Sequence, residues 1–283
     1  MGKTILVIIL VNLIMHVFYF FLINLTLRNY FFKTHLPYEF ISSYFLTSIF
    51  ITFYLLFSFI FLNKFPHLKM IFIYFFSLST YFIYDTLIKP YTIIFLNSKN
   101  RSQRFEKVLK KYNFEYKVFI SKSVNENAYA MGLLTKGKII LITEGLVNKL
   151  SAENIEAILL HEIGHHEKKH IFFYFKNMII FNICFALILI FVPIIIFKYF
   201  KISIEPLHTP FILGIYGYLA YYLMYIKKDK EYEADLYAAN IIGKNKLIEA
   251  LNNFNKITFG KLEKKSITHP ILSKRIKYVE KSI

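Results

Sequence analysis

Cysteine is nearly absent from this 283-residue chain, which carries a single one, Cys184. That excludes disulfides within the chain and any metal site built on several thiolates. Acidic residues are scarce as well: 18 Asp and Glu stand against 35 Lys and Arg, giving a formal net charge of +17. Such a balance can signal nucleic-acid binding, but no DNA- or RNA-binding motif is present and the lysines cluster beside apolar runs. Basic loops at a membrane surface account for the charge instead, and nucleic acid is not an expected partner. Internal repeats and low-complexity linkers are missing too.

Apolar residues are what the chain has in excess: 56% of it is hydrophobic and 19% aromatic, with a mean hydropathy of +0.44. A soluble domain sits near ~45–50% apolar. Five stretches, 5–25, 40–62, 70–88, about 177–197 and 207–226, approach the roughly 20 residues that span a bilayer. The lipid bilayer is therefore an expected partner. The first stretch has no small-residue cleavage site after it and reads as a retained helix. Three spans (residues 1–96) precede a polar region at 97–170, and a transmembrane hairpin (171–226) separates it from a second polar region at 227–283. Together the two polar regions suffice for one small domain. The basic run "NSKNRSQRFEKVLKKY" beside a span places that domain on the cytoplasmic face. The membrane would be a bacterial inner membrane or, in a eukaryote, the endoplasmic reticulum.

Within 97–170 the expected order is helix, hairpin, helix. Residues 102–112 form a basic amphipathic helix, and "NAYAMGLL" pairs with "KIILIT" across a tight turn at Gly137. Ser151 N-caps a helix that starts "AENIEAILLHE", with Glu153 in its first turn. Nothing between His165 and Ile171 breaks a helix, so this one is expected to continue into the apolar segment.

That helix holds "HEIGHHEKKH", two H-E-x-x-H patterns end to end, at His161–His165 and His166–His170. Histidines four apart share a helix face and can bind one ion, and the two pairs point ~140° apart. A catalytic zinc needs a dry site. Aliphatic residues flank the first copy, whereas Lys168 and Lys169 occupy the variable positions of the second. The first copy is the candidate, and the second reads as an interfacial belt of His and Lys. Tetrahedral zinc asks for a third ligand. In "KKDKEYEADLYAAN", Glu231 and Asp235 share a helix face while Glu233 points ~200° from Glu231. Glu231 fits as the ligand, and Asp235 could accept a hydrogen bond from a ligating imidazole.

"HEIGH" followed by "EYEAD" resembles the integral-membrane zinc endopeptidase family that contains HtpX and the type I CAAX prenyl proteases. "NAYAMG", "KIILITEGLVNKLSAENIEAILLHE" and "THPILSKRI" match family elements in order, over roughly residues 85–283. "HEIGHHEKKH" and "LIKPYTIIFLNSK" lean towards the CAAX branch, with fewer spans ahead of the domain than that branch carries. The resemblance implies a mainly α fold of multi-pass transmembrane helices with a small α+β zincin-type (gluzincin) domain. It implies Zn²⁺ held by His161, His165 and Glu231, with Glu162 as base and Asp235 behind the ligands. It also implies a substrate-pairing edge strand at Asn127, Ala128 and Tyr129, and His269 near the metal as a donor to the oxyanion. The expected activity is hydrolysis of peptide bonds in membrane-associated proteins or peptides, prenylated or otherwise. The alternative is a non-catalytic membrane sensor whose zinc domain signals.

Overall fold

The structure is a computed structural model that describes residues 84–96, 98–200, 225–266 and 269–282, with a few isolated positions between 214 and 222. A π-helical turn (Tyr84–Ile88) runs into α1 (Lys89–Leu96), followed by α2 (Gln103–Lys110). Three short strands come next: β1 (Lys117–Ser121), β2 (Ala128–Met131) and β3 (Ile139–Thr143). The remaining helices are α3 (Glu144–Lys149), α4 (Ala152–Glu167), α5 (His170–Phe200), α6 (Lys227–Ile242), α7 (Lys244–Ile257) and α8 (Leu272–Ser282). The chain is thus mainly helical with one small sheet.

The sheet has the order β1-β3-β2. β3 reads Ile-Ile-Leu-Ile-Thr and every one of its residues is buried, as an unbroken apolar run in a central strand should be. The expected hairpin exists: β2 pairs antiparallel with β3, Ala128 opposite Ile142 and Met131 opposite Ile139. Its connection is longer than a tight turn, because β2 stops at Met131 and Gly132 turns away with φ +91° before a 3-10 turn at Thr135–Gly137. β1 was not anticipated. It lies parallel to β3, Lys117 opposite Ile139 and Ser121 opposite Thr143. That leaves β2 as an edge strand.

The core forms where α4, α6, α7 and α8 pack with β1 and β3. Leu159, Leu160 and Ile163 of α4, Leu247 and Ala250 of α7, and Leu272 and Val279 of α8 are all 2% exposed or less. Burying a side chain of the Leu or Ile class contributes roughly 1.5–3 kcal/mol, so these positions outweigh any single polar contact. Ser151 caps α4 as expected, its hydroxyl accepting the Asn154 N–H.

One expectation needs correction. The helix through the H-E-x-x-H motif does not run on into the apolar segment. It ends at Glu167, Lys169 takes a left-handed conformation (φ +56°), and α5 begins anew at His170. The Lys168 and Lys169 N–H groups still donate back, to Gly164 O and His166 O, so the chain turns in a satisfied C-terminal cap. The five expected spans fall mostly outside the described residues. Among the described residues no helix is long and apolar enough to cross a membrane. Stretches 5–25, 40–62 and most of 70–88 lie outside those residues, as does much of 207–226; 177–197 falls on α5, part of whose side chains are also outside.

Gly164 decides how close α4 and α6 come. A Cβ there would sit 3.1 Å from both Cα and O of Ala234 and 3.2 Å from Tyr237 Cβ, tighter than ordinary packing. Gly164→Ala trades this crowding against the ~0.8–1.0 kcal/mol that Ala gains over Gly in a helix, so its stability should stay within about 1 kcal/mol of the parent. Gly164→Val must spread the helices and should cost about 1–3 kcal/mol by chemical denaturation. A Val variant as stable as the parent would show that the crossing is not tight.

Candidate metal and catalytic site

The apolar face of α4 fixes it in the core, and that packing points His161 and His165, one turn apart, at α6. From α6 comes Glu231, itself 7% exposed, against 7% for His161. His161 Nε2 and His165 Nε2 are 3.3 Å apart. Glu231 Oε2 is 3.6 Å from the first and Oε1 3.6 Å from the second. The three ligand atoms lie within 4.8 Å of one another. Two nitrogens bound at ~2.0–2.1 Å to a tetrahedral zinc ion are ~3.3 Å apart, so the donor set fits such an ion with little adjustment.

Charge at the site suits a cation. Burial would raise the Glu231 carboxyl, but the adjacent His161 and the Arg275 charge outweigh it and hold the group well below the usual carboxylate range. Burial pushes His165 down to about 3, with His161 adding to the effect; its lone pair is free at neutral pH. Burial also works to lower His161, yet Asp235 and Glu231 lift it to about 10. That proton is the one a metal would displace, as ligation of histidine generally releases protons.

Behind the ligands stands a buried ion pair. His161 Nδ1 is 2.9 Å from Asp235 Oδ1, without an aligned hydrogen bond. Arg275 of α8 donates to both Asp235 oxygens, Nε to Oδ2 at 2.7 Å and NH2 to Oδ1 at 2.6 Å. Its NH1 is 3.8 Å from Glu231 Oε2. In the sequence Arg275 stands out only as the arginine of "THPILSKRI"; its bidentate pairing depends on α8 docking against α6, which no local pattern announces.

Glu162 follows His161 on α4. Burial raises its carboxyl to about 7, with Glu231 adding and His161 and the Ala130 backbone opposing, so Glu162 is near the edge strand and poised between its two protonation states. That strand starts from a fixed point: Asn127 N–H donates to Thr143 Oγ1 at 2.9 Å and Thr143 N–H to Asn127 O at 3.0 Å. Ala128 is buried and Tyr129 is 45% exposed, its hydroxyl accepting from Asn127 Nδ2 at 2.8 Å. His269 reaches the site from the other side, Nε2 lying 3.6 Å from Glu231 Oε1 with the side chain 55% exposed.

The second H-E-x-x-H copy is not an interfacial belt. His166 and His170 are 2% and 1% exposed. His166 stacks on Tyr116 at a centroid distance of 5.1 Å, with Nε2 3.1 Å from Ile139 O. His170 faces His165, Nδ1 to Nδ1 at 2.9 Å, and Glu233 Oε2 with its other nitrogen, also at 2.9 Å. The pair diverges because Lys169 breaks the helix between them.

The model of peptidase family M48 matches residues 96–283. The chain belongs to peptidase family M48. Among its relatives it is 33% identical over 87 residues to the protease HtpX homolog of Archaeoglobus fulgidus, covering 29% of this chain and 26% of that protein. It is 41% identical over 70 residues to CAAX prenyl protease 1 of Saccharomyces cerevisiae (23% and 15%). To protease HtpX of Aliivibrio salmonicida it is 27% identical over 194 residues (56% and 64%). Each alignment covers less than two thirds of the relative's own length. Among solved structures, Ste24p of S. mikatae superposes with a TM-score of 0.60 at 21% identity, over 86% of this chain and 66% of that one. The M48 chain therefore has a Ste24p-like fold.

Removing Arg275 strips Asp235, 0% exposed, of its bidentate partner and leaves only His161 beside the buried charge. Arg275→Ala is expected to cost about 3–5 kcal/mol of unfolding free energy, with Arg275→Lys intermediate because it loses the bidentate geometry. A loss below about 1 kcal/mol for the Ala variant would mean that the cluster is wet.

Proposed function

We propose that this M48 chain is a zinc-dependent membrane endopeptidase, with His161, His165 and Glu231 as ligands and Glu162 as general base. The observation that carries the reading is the convergence of three donor atoms, from buried His161 and Glu231 and partly buried His165, within 4.8 Å beside a carboxyl raised to about 7. Zinc bound there would supply an acidified water and polarise the scissile carbonyl. Glu162 takes the proton of the attacking water and passes it to the leaving amine, a task for which a pKa near the operating pH is suited. Asp235, clamped by Arg275, orients His161 through Nδ1.

The substrate reads as an extended chain added to the outer edge of β2, along Asn127, Ala128 and Tyr129, by backbone pairing. β2 packs against α4, so a segment paired there passes in front of Glu162. His269, exposed and within 3.6 Å of Glu231, would donate to the developing oxyanion. The domain would be assembled from 97–170 and 227–283, on the cytoplasmic side of the membrane. Supporting membrane residence are the apolar stretches of the sequence and the exposed Ile179, Ile180, Ile183, Leu187, Phe191 and Ile195 along α5. Its substrates would then be membrane-associated proteins or peptides.

Purified in detergent, the chain should hold about one zinc, measured by elemental analysis. Glu162→Gln should keep the metal and lose about 10²–10⁴-fold in peptide cleavage, whereas Glu231→Ala should lose both. Zinc retained without cleavage by the parent chain, on soluble and membrane-anchored peptides alike, would favour a sensor. Zinc lost on His166→Ala but kept on His161→Ala would refute the ligand set.

For the substrate class, one peptide is presented either free or anchored to liposomes that contain the enzyme. Anchoring raises the effective concentration into the mM range for a short flexible linker, so kcat/KM at matched total concentration should be higher for the anchored form. Equal values would remove the case for membrane substrates.

A further inference from the structure

A metal-bound imidazole ordinarily turns its second nitrogen to a carboxylate, a backbone carbonyl or water. Asp235 fills that place for His161. For His165 the place is taken by another histidine. His165 Nδ1 is 2.9 Å from His170 Nδ1, and His170 Nε2 is 2.9 Å from Glu233 Oε2. Glu233 Oε1 is in turn ion-paired with Lys230. His170 is 1% exposed while the Glu233 side chain is 41% exposed, so the line leads from the ligand to the surface of the domain.

Proton bookkeeping along this line has one solution. An imidazole that ligates through Nε2 carries its single proton on Nδ1. His165 must therefore donate, and His170 Nδ1 must accept. The His170 proton then sits on Nε2, where it donates to the Glu233 carboxylate. A proton on His170 Nδ1 would set two N–H groups against each other at 2.9 Å. Glu233 is the group that selects the required tautomer, because a carboxylate only accepts. The backbone is shaped for the contact: the left-handed Lys169 brings His170 round to meet a residue five positions earlier, which an unbroken helix could not do.

We propose that His170, set by Glu233, is the positioning residue for His165: it fixes the tautomer and ring orientation in which Nε2 is offered to the metal. The inference rests on the reading of His161, His165 and Glu231 as zinc ligands. It adds to that reading a second line of support, built from the repeated motif and from a glutamate that is not itself a ligand.

Zinc affinity of the full-length chain in detergent, by competition with a chelator of known affinity, tests this without reference to turnover. His170→Ala should weaken zinc by about 10–100-fold, the usual effect of removing such a partner. His170→Asn, whose Oδ1 can stand in for Nδ1 as acceptor, should recover affinity to within a few-fold of the parent. Glu233→Ala should weaken zinc roughly tenfold alone but add nothing to His170→Ala, since the two act through one bond. Equal losses in the Ala and Asn variants would make His170 a packing residue and overturn the proposal. Additive losses for Glu233→Ala and His170→Ala would do the same, and so would an unchanged affinity in a folded His170→Ala protein. Should His170→Ala fail to fold, Glu233→Ala at its half-exposed position decides: a tenfold loss supports the role and an unchanged affinity ends it. A parent chain that binds no zinc would sink the ligand reading itself, whereas a zinc-binding parent indifferent to both changes sinks only this inference.

Discussion

The site depends on the close crossing of α4 and α6 at Gly164. With no Cβ at that position the backbone of Ala234 comes within ordinary contact of α4. Glu231 and Asp235 flank Ala234 on the same helix, three residues before it and one after. Their carboxylates are therefore delivered at the depth of His161 and His165. A larger side chain at Gly164, the fourth place of the motif, would widen the crossing, and the donor separations of 3.3–3.6 Å would grow with it. The Ile163 beside it does the complementary work, anchoring α4 to the core at 0% exposure. One residue of the pair fills space and the other leaves it.

Bringing charges together in a dry interior carries a cost that the site meets by pairing. Asp235 is fully buried and Glu231 nearly so, and an isolated carboxylate in either place would be several kcal/mol unfavourable. Arg275 neutralises one of the two and fixes its geometry with a bidentate hydrogen bond. One negative charge remains among the three, and Glu162 adds a second when it ionises. That is the charge a divalent cation balances, which is why the same cluster that would be costly as a structural element is coherent as a metal centre.

Much of this was legible in the chain before any fold was known. Two histidines four apart, aliphatic neighbours, and a returning glutamate with an aspartate one turn later are local patterns, and local periodicity survives into the structure. The Ser151 cap and the β2–β3 pairing were readable for the same reason. What escaped depends on distant partners or on backbone states without a residue signature. β1 is a five-residue strand whose parallel neighbour lies across the β2 excursion, so its pairing is non-local. The helix break at Lys169 needs a positive φ at a residue that gives no hint of one, where glycine or asparagine would have. His166 and His170 look like surface residues beside Glu167, Lys168 and Lys169; only the turn reveals that they face inward.

The doubled motif is then explained by division of labour between its copies. In the proposed reading the first copy supplies ligands and base. From the second, His166 pins the end of α4 to the sheet, through Ile139 O at the start of β3 and the face of Tyr116 next to β1. β3 is the strand on which β2 is built, with Met131 paired to Ile139. The helix that carries Glu162 and the strand edge proposed to receive substrate are thus tied through one buried imidazole. His170 turns the other way, towards α6 and Glu233. Adjacent to His161 and His165 on both sides of a helix end, the two histidines lock α4 against its neighbours in two directions, and a break in the helix between them is what makes both directions reachable.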